Sequence, residues 1–134
     1  MAQPRAGKAP PWPARWAAWQ ALDQVQKGVR AEVALSRSLA GRPLDKRDRA
    51  LATELVYGVC RWQGFLDYCL GLVSKRPLAK VSPGVLTLLR LGAYQILKLD
   101  RVPARAAVQT SGDLARTRHP QWKVGFVNAV LRAL

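Results

Sequence analysis

The chain has 134 residues, 49% of them hydrophobic, which suits one domain with a core of its own. Its 22 Lys and Arg against 8 Asp and Glu leave a formal net charge of +14, a self-repulsion that points to a polyanionic partner, nucleic acid or an anionic membrane surface. The absence of an apolar run of about 18 residues and of a signal-peptide core argues against membrane spanning and secretion, so the expected compartment is the cytoplasm.

Residues 1–13 carry Pro4, Pro10, Pro11 and Pro13 with Arg5 and Lys8 and no apolar periodicity, the composition of a disordered basic arm. The folded part is expected to follow as residues 14–134. A first helix runs from Ala14 to Gln26 with Ala18, Leu22 and Val25 on one face and Trp12, Trp16 and Trp19 winding beside it. A short second helix, Glu32 to Leu39, is stopped by Gly41 and Pro43. A third starts at Asp45 or Asp48, either of which can cap it, carries Leu51, Leu55, Val59 and Trp62 inward and is expected to end near Gln63 and Gly64. Phe65 to Val73 forms a fourth helix, and Lys75 to Ser82 a basic loop around Pro77.

Pro83 to Asp100 is the most hydrophobic helix and the one around which the others are expected to pack. Ser82 can cap it, Pro83 suits its first turn, and Val85, Leu89 and Ile96 share a stripe widened by Leu86, Leu88 and Leu97. Thr87, Arg90, Tyr94 and Lys98, three and four apart, form its only polar line, expected to face water or a ligand. Ala104 to Arg116 is a sixth helix, residues 117–123 with His119-Pro120 a turn, and Val124 to Leu134 a seventh. No segment alternates with a period of two, so the fold class is all-α with about seven helices.

The chemistry-bearing residues do not assemble a reaction centre. Cys60 and Cys69 lack zinc-site spacing and His119 is the single histidine, so structural free thiols are expected and no metal. Glu54 and Asp67 lie thirteen residues apart with no nucleophile beside them, and no glycine-rich strand-to-helix loop is present, so neither catalytic residues nor a cofactor are expected. Cations, by contrast, come in clusters: Arg5, Lys8 and Arg15 on the arm and first helix; Arg42, Lys46, Arg47 and Arg49, interleaved with Asp45 and Asp48; Lys75, Arg76 and Lys80 in a loop without acids; and Arg90 and Lys98 with Tyr94. Each suits a phosphate backbone, though plain solvation would also account for the arm, the loop and the fourth cluster, and internal pairing for the second. Trp12 and Trp16 can stack on unpaired bases or cover the edge of the core. Asn128 is read as a buried structural hydrogen bonder.

The order of motifs resembles the NusB-type RNA-binding domain. Arg15 with Ala18 and Leu22, then residues 47–58 (Arg-Asp-Arg-Ala-Leu-Ala-Thr-Glu-Leu-Val-Tyr-Gly), 89–97 (Leu-Arg-Leu-Gly-Ala-Tyr-Gln-Ile-Leu), 101–108 (Arg-Val-Pro-Ala-Arg-Ala-Ala-Val) and 126–132 (Phe-Val-Asn-Ala-Val-Leu-Arg) carry the likeness. It is greatest to the form at the N-terminus of RsmB-type ribosomal RNA 5-methylcytosine methyltransferases, over about residues 14–134. The resemblance implies two three-helix halves plus a further helix and an RNA-targeting role, with ribosomal RNA as partner and a methyltransferase domain or a ribosomal protein beside it. The alternative it leaves is a transcription antitermination factor. The S-adenosylmethionine pocket and catalytic cysteines of such enzymes lie beyond this domain. Where the family often has an Asn-Glu or Glu-Ala pair, this chain has Gln109-Thr110-Ser111, so Asn128 is expected to lose a carboxylate partner and find another.

Overall fold

A computed structural model describes residues 12–41 and 43–134. Residues 1–11 of the basic arm, with Arg5 and Lys8, and Arg42 of the second cluster lie outside the described residues. Among those described are six α-helices and no strand: α1 (Pro13–Gln26), α2 (Ala31–Leu39), α3 (Lys46–Val73), α4 (Pro83–Lys98), α5 (Ala104–Arg116) and α6 (Gln121–Arg132), with a single 3-10 turn at Leu78–Lys80. α1, α2 and α3 pack on one another, as do α4, α5 and α6, and the two three-helix halves join where α4 lies against α3 and α1.

Local chemistry sets the boundaries. Pro13 opens α1, and Gly28, at φ +100°, turns the chain out of it while Val29 N–H returns to Gln24 C=O at 3.0 Å. Asp45 caps α3 by accepting from Asp48 N–H at 2.8 Å, and Asp48 places its own charge in the first turn. α1 buries alanines and tryptophans between Ala14 and Leu22: Ala17, Ala18 and Ala21 admit close neighbours, and Trp16 and Trp19 meet edge to face at 5.8 Å. Trp16 and Trp19 thus belong to the core, with Trp12 stacked on Trp16 at its margin.

Two expectations are corrected. The third and fourth helices are one. Gly64 does not interrupt α3, because Leu66 and Leu70 continue the buried face of Leu55 and Val59 and the packing against α4 outweighs a single poor helix former. That fusion gives six helices instead of seven. The polar line of α4 is also not a wet edge, since Thr87, Arg90 and Tyr94 retain only 2%, 8% and 7% of their exposure. Thr87 Oγ1 donates to the Pro83 carbonyl at 3.0 Å. Arg90 forks onto Asp67 of α3, Nε to Oδ1 at 2.8 Å and Nη2 to Oδ2 at 2.9 Å, and reaches Gln26 Oε1 of α1 at 3.3 Å. Tyr94 lies on Gly58, where a Cβ would meet the ring carbon Cζ at 2.1 Å. The line is an internal seam that ties α4 to α3 and α1, and of its four members Lys98 alone escapes burial, seated 3.6 Å above the Trp62 ring.

Candidate nucleic-acid interface

α4 and α6 both begin at the same end of the molecule, and the loop carrying Lys75 to Lys80 ends there too. A cleft of about 190 Å3 is lined by Arg76, Lys80, Val81, Ser82 and Val85 from that loop and α4, and by Trp122, Lys123 and Phe126 from α6. Trp122 is 58% exposed, unusual for an indole, with the Arg76 guanidinium 5.6 Å and the Lys123 ammonium 5.5 Å from its ring centre. Neither helix has an acid in its first turn, so the partial positive charge of both N-termini is left uncompensated.

Next to it, a second cleft of about 370 Å3 is bounded by Trp19 and Asp23 of α1 and Lys27 just after it, Pro83 and Gly84 of α4, and Arg118 and His119 before α6. Arg118 lies 4.8 Å above the Trp19 ring and donates to Asp23 Oδ2 at 3.2 Å. Burial pushes the Asp23 carboxyl up despite Arg118 and Lys27, and burial, reinforced by Lys123 and Arg118, pushes the His119 imidazole down. Trp19 Nε1, Ser82 Oγ and His119 Nε2 are buried around the start of α4 with no hydrogen-bond partner among the described residues. Ser82 occupies the cap position yet makes no cap bond with its hydroxyl. Arg76, Lys80, Arg118 and Lys123 rim the two clefts, and that concentration of cations around the exposed Trp122 ring suits an anionic ligand.

Of the cations singled out from sequence, Lys75, Arg76 and Lys80 are exposed on this loop, and Arg76 and Lys80 reach the cleft. The rest are elsewhere. Arg15 is half-buried and ties α1 to α4, its Nε donating to Gln95 Oε1 at 2.7 Å, and burial holds its pKa below the ordinary value against the pull of Asp48. Arg47 is exposed in the first turn of α3. Arg90 is consumed by Asp67, Tyr94 by its packing, and Lys98 by the aromatic pair Trp62 and Phe65. Asn128 corrects a further expectation: it is half-buried, its Oδ1 lies where a Cβ on Gly112 would come within 2.7 Å, and its amide makes no hydrogen bond among the described residues. Cys60 and Cys69 are free and half-buried, and burial pushes the Cys60 thiol up. Sequence reasoning missed Arg118, His119, Trp122 and Lys123. The signal lies in the density of Arg, His, Trp and Lys across residues 117–123, the segment expected to be a turn.

Residues 13–134 match the NusB family over its described helices and the segments between them. The chain belongs to the NusB family. It is 43% identical over 123 residues to a Mycobacterium tuberculosis protein whose name assigns it methyltransferase activity, covering 91% of this chain and 27% of that protein. To the ribosomal RNA small subunit methyltransferase B of Thermus thermophilus it is 42% identical over 113 residues, covering 84% of this chain and again 27% of the relative. This NusB domain thus spans about a quarter of the length of the curated relatives it matches. Its fold superimposes on T. maritima NusB with a TM-score of 0.82 at 23% identity, covering 93% of this chain and 89% of that one. NusB in a complex with NusE and double-stranded RNA gives 0.83 at 19% identity, covering 91% and 92%. The NusB architecture accounts for the two three-helix halves, and it puts the loop before α6 and the start of α4 in one place although 36 residues of sequence separate Ser82 from Arg118.

Proposed function

We propose that this NusB domain is an RNA-binding module that delivers a small-subunit ribosomal RNA 5-methylcytosine methyltransferase to its substrate, with the methyl transfer itself performed by residues outside the matched region. The observation that carries the reading is the exposed indole of Trp122 set among Arg76, Lys80, Lys123 and Arg118, over unpartnered buried donors at the start of α4. Phosphates fit the cations and the helix N-termini, and an unpaired base fits the Trp122 face. Identity to the methyltransferase relatives is about twice that to the solved NusB chains, which supports this reading over an antitermination factor acting with a ribosomal protein.

The test is an anisotropy titration of the chain against small-subunit ribosomal RNA fragments over a salt series. Three cations at the cleft without an acidic partner, Arg76, Lys80 and Lys123, give an expected log–log slope of about −2 on unpaired RNA. Incubation with labelled S-adenosylmethionine should leave the RNA unlabelled. A flat salt dependence sinks the electrostatic reading, and labelled RNA sinks the division of labour. Tight binding that appears only when a ribosomal protein is added would transfer the case to antitermination.

A further inference from the structure

At the other end of α6 lies a larger cavity, about 440 Å3, that the interface above does not use. Arg105, Gln109, Gly112, Asp113 and Arg116 fall on one face of α5 at spacings of three and four, and Asn128 and Arg132 face them from α6. Its apolar surface comes from Ile96, Ala104, Val108, Leu131 and Leu134. The one acid, Asp113, is engaged by Arg116 Nη1 at 2.7 Å, whereas Arg105 and Arg132 have no acidic partner among the described residues. The side-chain amide of Asn128 is likewise unengaged, and it has its place because Gly112 carries no Cβ.

We propose that this cavity seats one unpaired nucleotide of an RNA strand. Its volume lies within the roughly 300–1,000 Å3 of small-ligand sites. Each part of a nucleotide has a counterpart: Arg105 and Arg132 at the rim for the phosphate, the aliphatic surface for the base face, and the Gln109 and Asn128 amides, each with donors and an acceptor, for the base edge. A paired base presents neither face nor Watson–Crick edge, so the site selects single-stranded or looped RNA. The first turn of α6, with Trp122 and Lys123, is about 15 Å from Arg132 along the helix, so one strand can touch both sites. The proposal rests on the RNA-binding reading and deepens it.

The experiment compares three variants of the whole chain, Arg105→Gln/Arg132→Gln, Asn128→Leu and Arg76→Gln/Lys80→Gln, each checked for an unchanged circular dichroism melt. The probes are short single-stranded oligoribonucleotides of each base and a blunt RNA duplex. Loss of both cavity arginines should weaken single strands about tenfold and flatten the salt slope by about 0.7 per arginine, with the duplex unaffected. Asn128→Leu should weaken single strands about fivefold, unevenly among the four bases, with the slope unchanged. If both cavity variants bind single strands as the unsubstituted chain does while Arg76→Gln/Lys80→Gln loses affinity, the cavity proposal is wrong and the RNA-binding reading survives. If the unsubstituted chain binds no RNA, that reading fails, and ribonucleoside monophosphates are titrated while the Gln109 and Asn128 side-chain amide resonances are followed. Shifts there would retain a nucleotide site fed by free nucleotides; their absence would end the proposal.

Discussion

His119 packs against Trp19 at 6.3 Å with Arg118 and Lys123 beside it, so burial first and then two cations disfavour its imidazolium. The folded-state pKa lies below the unfolded one, and the unfolded chain therefore binds more protons as acidity rises. Stability from this group is complete above the ordinary histidine value of about 6.5 and is lost as pH falls towards and through the lowered folded value. Thermal melts from about pH 8 down to about pH 5.5 should show a decline that His119→Asn reduces. Asp23 has the opposite sign: its raised carboxyl pKa makes stability fall as pH climbs through the ordinary carboxylate range, well below the histidine window. A neighbouring phosphate would favour the imidazolium, so the His119 pKa should rise when RNA is added, a shift that NMR titration reads directly. Arg90 shows what a spacing rule cannot tell. A residue three or four positions from other polar ones is placed on a face, but whether water or Asp67 and Gln26 occupy that face depends on two other helices. Arg90→Leu leaves the half-buried Asp67 without its fork and should cost roughly 3 kcal/mol, measurable by urea unfolding, at the low end for a buried pair because Asp67 keeps some solvent.

α5 is the element that local signals define best: Pro103 before it, apolar positions at helical spacing within it, and its bounds agree with those expected from sequence. α3 is the one they define worst. A glycine after a polar residue reads as a stop, yet the decision is made by the long face that α4 offers to Leu55, Val59, Leu66 and Leu70, information held in another part of the chain. Because α3 is continuous, Gly64 is an exposed glycine in a helix interior with nothing within 4 Å of a Cβ. Gly64→Ala should then stabilise the protein by about 0.5–1 kcal/mol, whereas a chain broken at Gly64 would gain nothing or lose stability. Gly58, six residues earlier, obeys the reverse logic on the same helix, because a Cβ there enters the Tyr94 ring. Gly58→Ala should cost about 1–3 kcal/mol in chemical denaturation, the usual price of overpacking. The pair of substitutions reads out which glycines of one helix are permissive and which are required.

At the scale of the molecule, the +14 charge that first suggested a polyanion says nothing about where the polyanion sits. Several of the cations are spent internally, on Asp67, Glu54, Asp113 and Asp23 or on aromatic rings. Which ones remain free follows only from the packing of two halves whose ends bring together residues far apart in sequence, and this is why the candidate interface was legible as a basic loop at Lys75 to Lys80 but not as a cleft shared with α6. The competing view is that binding tracks total charge, in which case position is irrelevant. Two variants of equal charge loss separate the views: Arg76→Gln/Lys80→Gln at the cleft, and Arg47→Gln/Arg49→Gln on the exposed first turn of α3. If the cleft is the interface, the first should flatten the log–log salt slope on unpaired RNA by about 1.4 and the second should leave it nearly unchanged, both with melting temperatures close to that of the parent chain. Equal effects from the two would mean diffuse attraction and no defined face. A larger effect from the α3 pair would move the interface to the end of the molecule where Arg15 and Asp48 meet, and Trp122 would then be an exposed indole without a task.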